Sequence, residues 1–238
     1  MIRRRLRNLG PDQSGFTLTE LLTAISIGLV LLMAAFTLLD RASSASQEII
    51  DRQDAVQRGR QAMELIVRQL RSQVCLGDEE EPITWATGNQ VTFYADLSDG
   101  SKNIQRRTIF YDAPNKNLVE RIYPGDGEYP LLTFSNTPSE ERILARRVEP
   151  IRDGGAPRDF FRYYAFKLGG APGELEQLRN GGNDLTADQK ATTVLVKVGF
   201  VVLPDKERPR NRDALTMESD IYVRIADPSR PAEGPACI

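Results

Sequence analysis

A long apolar run near the amino terminus constrains this chain more than any other feature. Residues 16–39, with the sequence FTLTELLTAISIGLVLLMAAFTLL, contain only one ionisable side chain, that of Glu20. As an α-helix these 24 residues would rise about 36 Å. That length is enough to cross a hydrocarbon core of about 30 Å with some tilt. The run therefore predicts a transmembrane helix.

The residues before this run predict its orientation. Residues 1–15 hold arginines at positions 3, 4, 5 and 7 against a single acid, Asp12, and such basic flanks stay on the cytoplasmic side of a membrane. A secretory signal has a shorter apolar region of about 7–15 residues and then a small-residue cleavage site, whereas Asp40 and Arg41 follow directly here. We expect a cytoplasmic leader and a single-pass helix in the inner membrane, with the remaining residues outside the cytoplasm.

Glu20 is not explained by a plain membrane anchor. A charged side chain costs about 2.5–3.5 kcal/mol near the centre of a membrane helix, and less near its end. The residues around it, GFTLTE at positions 15–20 after a basic leader, resemble the class III signal of type IV prepilins and type II secretion pseudopilins. The alternative is an ordinary signal anchor in which the glycine, the phenylalanine and the glutamate coincide by chance.

The resemblance implies a processing site and an assembly residue. In that family a prepilin peptidase cuts after the glycine, here Gly15, and the new amino-terminal residue, here Phe16, is N-methylated. The mature chain would then be residues 16–238. The acidic position of the motif falls on Glu20, whose carboxylate would pair with the amino terminus of a neighbouring subunit. Such a contact would offset the cost of burying both charges.

The helical pattern continues beyond the membrane segment. Small or apolar residues recur every seven positions, which places them on one helical face, and no proline occurs between residues 16 and 76. We predict one helix of about 55–60 residues, in which residues 40–76 form the amphipathic continuation. A coiled-coil seam is the alternative use of this stripe. The stripe comprises Ala42, Ala45, Ile49, Val56, Gly59, Met63, Ile66 and Leu70.

After residue 77 the sequence predicts a β-rich globular head over 77–226 and an extended tail over 227–238. Short runs of β-branched and aromatic residues alternate there with Gly, Pro, Asn and Asp, which is typical of strands and turns. Turn sequences at 113–117 and 204–212 predict antiparallel hairpins, and residues 169–183 predict an exposed loop with one or two helical turns at 174–179. The predicted strands are 83–86, 91–95, 104–111, 118–123, 131–134, 143–150, 159–166, 194–203 and 215–225.

The amino-acid composition excludes several kinds of catalytic site and metal-binding site. The chain contains no histidine, which excludes Ser-His-Asp triads and histidine-based zinc sites. Its two cysteines, Cys75 and Cys237, would form one disulfide in an oxidising compartment, and two unpaired buried thiols are the alternative. A membrane-anchored hydrolase with paired carboxylates has no motif here that would hold two of them in a defined geometry. We therefore predict no catalytic residues, no metal ligands and no enzymatic activity.

Charged clusters in the head are better explained as solvated turns than as ligand sites. Residues 78–81 hold four carboxylates, and 96–100 and 125–128 lack the Asp-x-Asp-x-Asp-Gly spacing of a calcium loop. Some pseudopilins bind calcium, so the resemblance leaves calcium open as the one cofactor, without assigned ligands. The basic residues of 206–212 suit a hairpin tip better than phosphate binding. The net charge of −2 gives no reason to expect a nucleic-acid partner.

The predicted fold class is α+β: a long amino-terminal helix, transmembrane in its first half, packed on an antiparallel β-sheet head as in pilins. The head's size and the runs at 107–111, 118–121 and 160–164 are similar to J-type minor pseudopilins of type II secretion. The resemblance implies a structural subunit of a pseudopilus tip complex, incorporated into a periplasmic or surface filament. Its implied partners are a prepilin peptidase, other pseudopilins or pilins, an inner-membrane assembly platform and exported cargo. A minor pilin of a type IV pilus, used in adhesion or DNA uptake, is the alternative.

Overall fold

A computed structural model describes residues 15–77, 81–97, 104–205 and 215–222. The chain divides into two compact units, Met1–Ile49 and Ile50–Ile238. Helix α1, Leu18–Arg71, is a single element of 54 residues, so the predicted long uninterrupted helix is confirmed. The second unit contains the carboxyl-terminal part of α1, a short helix and antiparallel strands, and the α+β fold class is confirmed with it.

The strands of the head form two main sheets and one small hairpin. One sheet has the order β1-β2-β3-β4-β5, with β6 paired to β4; the other has the order β11-β10-β12-β13, with β7 paired to β12; β8 pairs with β9. All of these pairings are antiparallel. The strands are β1 (Ile83–Ala86), β2 (Gln90–Asp96), β3 (Ile104–Asp112), β4 (Asn117–Asp126), β5 (Thr133–Phe134), β6 (Glu140–Arg146), β7 (Val148–Glu149), β8 (Arg152–Asp153), β9 (Ala156–Pro157), β10 (Phe161–Phe166), β11 (Leu175–Leu178), β12 (Leu195–Val202) and β13 (Leu215–Tyr222).

The alternating runs predicted most of these strands within a few residues. The hairpin expected at 113–117 joins β3 to β4. The pairing expected of the last two strands is also present, between β12 and β13. Residues 206–214 of that connection and the predicted strand end at 223–225 lie outside the described residues.

Three predicted strands have different limits in the structure. The run at 143–150 is two strands, because Arg147 has a positive φ of 55° and the chain leaves one sheet there for the other. Strand β6 pairs with β4, whereas β7 pairs with β12. The strand expected at 131–134 is reduced to Thr133–Phe134, and the one expected at 159–166 begins at Phe161.

The helical turns predicted at 174–179 are wrong. This segment is strand β11, which pairs with β10 in the register Phe166↔Leu175. Backbone pairing with a long neighbouring strand outweighs the helix propensity of Leu, Glu and Gln over so few residues. The short helix is instead α2, Ala187–Ala191, which begins after a capping box formed by Thr186 and Gln189. Its Thr-x-x-Gln signature was available in the sequence.

Within the head, α1 buries one face against the sheets, and half of the residues on that face are alanine or glycine. The predicted stripe is partly wrong in its angle: Gly59, Ile66 and Leu70 are buried, but Val56 and Met63 are only half-buried on the flank of the helix. Alanine and glycine occupy the buried face in their place, because small side chains let the helix approach a sheet closely. The buried residues of α1 are Ala55, Gly59, Ala62, Ile66, Gln69 and Leu70.

The core between the helix and the sheets is aromatic and continuous. Phe93 from one sheet and Phe160, Phe161 and Phe200 from the other side of the head are all fully buried. The buried Tyr163 on β10 also joins the two sheets, since its hydroxyl lies 3.1 Å from the carbonyl oxygens of Thr87 and Gln90. Burial, with nearby Asp184 and Asp159, raises the pKa of Tyr163 well above its ordinary value.

Replacing Gly59 with alanine should destabilise the head, although alanine is the better helix former. A Cβ at this position would lie 2.8 Å from Met217 Cε and 2.9 Å from Val202 Cγ2. Overpacking costs about 1–3 kcal/mol and the gain in helix propensity is about 1 kcal/mol. We expect Gly59→Ala to lower the free energy of unfolding by roughly 1 kcal/mol, measured by urea unfolding of the detergent-solubilised chain.

The matched control for this substitution is Gly28→Ala on the same helix. A Cβ there meets nothing within 4 Å, so the unfolding midpoint of the head should not change. A head that became more stable in Gly59→Ala would contradict the close approach of α1 to β12 and β13.

Candidate functional site

The amino-terminal end of α1 is fixed by a threonine cap directly after the predicted cleavage point. Gly15, Phe16 and Thr17 precede the helix, which begins at Leu18. The backbone N–H of Glu20 donates to the Thr17 hydroxyl at 3.3 Å, and the N–H of Leu21 donates to the Thr17 carbonyl at 3.1 Å. A side-chain oxygen at this position satisfies a donor that a helix start leaves open. The motif therefore forms a defined helix start.

Glu20 lies in the first turn of α1 and is exposed to its surroundings. A carboxylate there is favoured by the helix dipole by about 0.3–1 kcal/mol, which is less than the cost of placing it in hydrocarbon. Among the described residues no basic side chain forms an ion pair with Glu20. Its carboxylate is therefore available to a group from another molecule.

The membrane-length part of α1 exposes its apolar side chains. Phe16 is 82% exposed and Leu18 is 77% exposed, and none of the most apolar 18-residue window is buried. Three hydroxyl side chains in this part are satisfied locally: those of Thr23, Ser26 and Thr37 donate to backbone carbonyls one turn earlier. Of the described helices, only α1 is long and apolar enough to cross a membrane. This helix is consistent with single-pass anchoring.

The cysteine prediction falls partly outside the described residues. Cys75 follows the end of α1 by four residues and is buried, at 8% exposure. Cys237 lies outside the described residues, so the disulfide between them stays a prediction. The burial of Cys75 near the helix end would let such a bond fix the carboxyl terminus to the core of the head.

One carboxylate is completely buried in the head, and it is bound on both oxygens by arginines. Glu120 on β4 is 0% exposed, and its Oε1 accepts from Arg107 at 2.6 Å. Its Oε2 accepts from Arg142 Nε on β6, and Arg107 also donates to the Gln105 side chain at 2.5 Å. A carboxylate held in this way is a structural ion pair, since both of its oxygens are already engaged.

The charged segments considered as calcium or phosphate sites do not form a site in the described part of the chain. Residues 125–128 lie where β4 ends and turns towards β5, with Gly127 at a φ of 111°. No group of three or more metal-binding side chains occurs among the described residues. The clusters at 78–81, 96–100 and 206–212 lie largely outside them.

The head also has a cleft of about 350 Å³ with a mixed polar and apolar lining, beside β10 and β11. It is lined by Asp159 and Arg162, and by the loop after β11, which includes Asn180 and Asn183. The sequence prediction missed this cleft because its lining comes from distant segments. The sequence prediction also missed the buried ion pair of Arg107 and Glu120. Both residues lie on predicted strands, at alternate positions whose side chains point to the same face as the core residues.

The chain was compared with models of known protein families. A model described as the prokaryotic N-terminal methylation motif matches residues 10–36. That span includes Gly15, Phe16 and Glu20 and ends inside the apolar part of α1. The match supports a type IV pilin-like or pseudopilin role, and the motif implies processing by a prepilin peptidase and assembly with other pilins. No curated protein matches the chain.

The predicted disulfide is testable by intact mass. We expect the denatured, unreduced mature protein to take up no iodoacetamide and to take up two equivalents after reduction. In the chain-entropy model a bond closing a loop of this length contributes about 5 kcal/mol at most, so Cys75→Ser should lower the melting temperature. Reduction of the unsubstituted protein is the control and should have the same effect. Alkylation of both cysteines without reduction would show that they are unpaired.

Proposed function

We propose that this chain is a minor pseudopilin of J type, a structural subunit that joins a pseudopilus tip complex of a type II secretion system after cleavage of its leader. The observation that carries the assembly role is a capped helix start that combines Gly15, Phe16 and Glu20 with an exposed apolar helix. An anchor needs only the apolar length. A membrane anchor does not need the Glu20 carboxylate in the first turn, but an assembling subunit could use it to form an ion pair with a positive group of its neighbour.

Cleavage after Gly15 would create that positive group. The new amino terminus at Phe16 would be charged near neutral pH, because an α-amino group has a pKa of about 7.7–8.0. In a membrane the amine and the Glu20 carboxylate each favour a polar environment. Between two packed helices they neutralise each other, so assembly offsets the cost of burying both charges. Exposed apolar residues such as Leu29 and Val30 would then pack against other helices.

The head would supply contacts with partners. It is larger than an isolated membrane anchor needs, and its two sheets are fixed to α1 by the buried face of that helix. The arginines of the leader favour its cytoplasmic side, so the head would lie outside the cytoplasm. The partners proposed are other minor pseudopilins, the inner-membrane assembly platform and exported cargo. A minor pilin of a type IV pilus is the competing assignment, and it would be recovered with competence or adhesion components.

The processing step is tested by intact mass after co-expression with a prepilin peptidase. The unsubstituted chain should lose residues 1–15 and gain one methyl group at Phe16, and Gly15→Val should retain the leader because the larger side chain blocks the cut. Gly28→Val is the matched control, since a Cβ at Gly28 meets nothing within 4 Å, and it should be processed normally. An unsubstituted chain that keeps residues 1–15 in the presence of the peptidase would overturn the proposal.

A further inference from the structure

The head has an apolar groove between the exposed flank of α1 and strand β13. Its volume is about 520 Å³, and its lining consists of Met63, Glu64, Val67, Arg68, Arg71 and Ser219. Met63 and Val67 are half-buried and lie one turn apart on the same face of the helix. Both pack against the edge of the core. Together they form an apolar floor that the sheets leave uncovered.

The charge around this floor is basic and unbalanced. Arg60, Arg68 and Arg71 are exposed, and no described residue forms an ion pair with any of them. Among the described residues that line the groove, Glu64 is the only acid. Elsewhere in the head, six arginines are ion-paired with acids, whereas others, such as the exposed Arg146, form no ion pair with a described residue. The paired arginines are Arg58, Arg107, Arg121, Arg142, Arg158 and Arg162.

An apolar floor with unpaired arginines at its rim is complementary to one kind of surface. Its occupant needs an apolar side chain to fill the space above Met63 and Val67. It also needs carboxylates placed to meet Arg68 and Arg71, since such pairs set orientation and favour encounter. A second copy joined by two-fold symmetry would place these arginines against themselves. Like charges in contact disfavour that arrangement.

We propose that this groove binds an acidic amphipathic helix of a neighbouring subunit, with apolar residues seated on Met63 and Val67 and carboxylates paired to Arg68 and Arg71. The proposal rests on the assembly function proposed above. A helix suits the groove because its residues at i and i+4 lie on one face. That spacing matches the one between Met63 and Val67 on α1.

The test uses the full chain in the cells that produce it, with a photo-reactive amino acid at position 67. We expect cross-links to an α-helix of another processed prepilin-class subunit, at a stretch where acidic residues flank an apolar one, identified by mass spectrometry. The control carries the same probe at position 188, since Asp188 is exposed on α2. Cross-links to this chain's own residues 223–238, to a second copy or to lipid would each overturn the proposal. So would a yield no higher than that of the control.

A charge reversal tests the electrostatic part. Arg68→Glu should reduce the cross-linking yield about tenfold, because close opposite charges become like charges. Arg146→Glu makes the same change of charge at an exposed position on β6 and should leave the yield unchanged. Equal yields in both variants would contradict the proposed carboxylate contact.

The intact mass of the cross-linking variant distinguishes failure of the proposed assembly function from failure of the proposed groove contact. A retained leader would refute the assembly function itself. A processed chain without partner cross-links at position 67 would refute only the groove.

Discussion

The structure depends on one physical constraint: the apolar first part of α1 is not covered by any of the described residues. Its side chains from Phe16 to Leu39 are exposed, so this part of α1 needs a membrane or other helices around it. The helix also carries Glu20 in its first turn. Hydrocarbon alone solvates the apolar side chains but not the carboxylate. A neighbouring subunit with a free amino terminus would satisfy both requirements, which is why we interpret the segment as an assembly element.

The carboxyl-terminal part of the same helix packs against the sheets of the head. Between Ala55 and Leu70 half of the six buried residues of α1 are alanine or glycine, and Gly59 allows close contact with Val202 and Met217. Close approach of the helix leaves Met63 and Val67 on its flank, where they line the groove beside β13. The basic rim of that groove then gives the head a directional surface for contacts with another subunit.

The sequence predicted the features that follow from local pattern. The apolar run and the absence of proline gave the long helix, and alternation gave most strands of the head. The features that it missed depend on tertiary contacts. Arg147, directly after β6, has a positive φ, and the sequence gave no sign of this because the residue is not a glycine. The segment 174–179 contains strand β11 because β10 pairs with it. The heptad spacing predicted that Val56 and Met63 would be buried, whereas the buried residues are Ala55 and Ala62. Hydrophobicity alone does not predict the distance between a helix and the sheet against which it packs. Of the candidate site, Gly15, Phe16 and Glu20 were found by motif, whereas their roles remain proposals.

The central claim is that Glu20 makes this chain an assembly subunit and not only a membrane anchor. The most direct measurement is the fraction of processed chain recovered in complexes with other subunits after cross-linking of intact membranes, compared between Glu20→Gln and Glu48→Gln. Both changes remove one carboxylate from α1 with almost no change in shape. We predict that Glu20→Gln is inserted and processed normally but is lost from the complexes, whereas Glu48→Gln is recovered like the unsubstituted chain. Recovery of Glu20→Gln at the unsubstituted level would contradict the account.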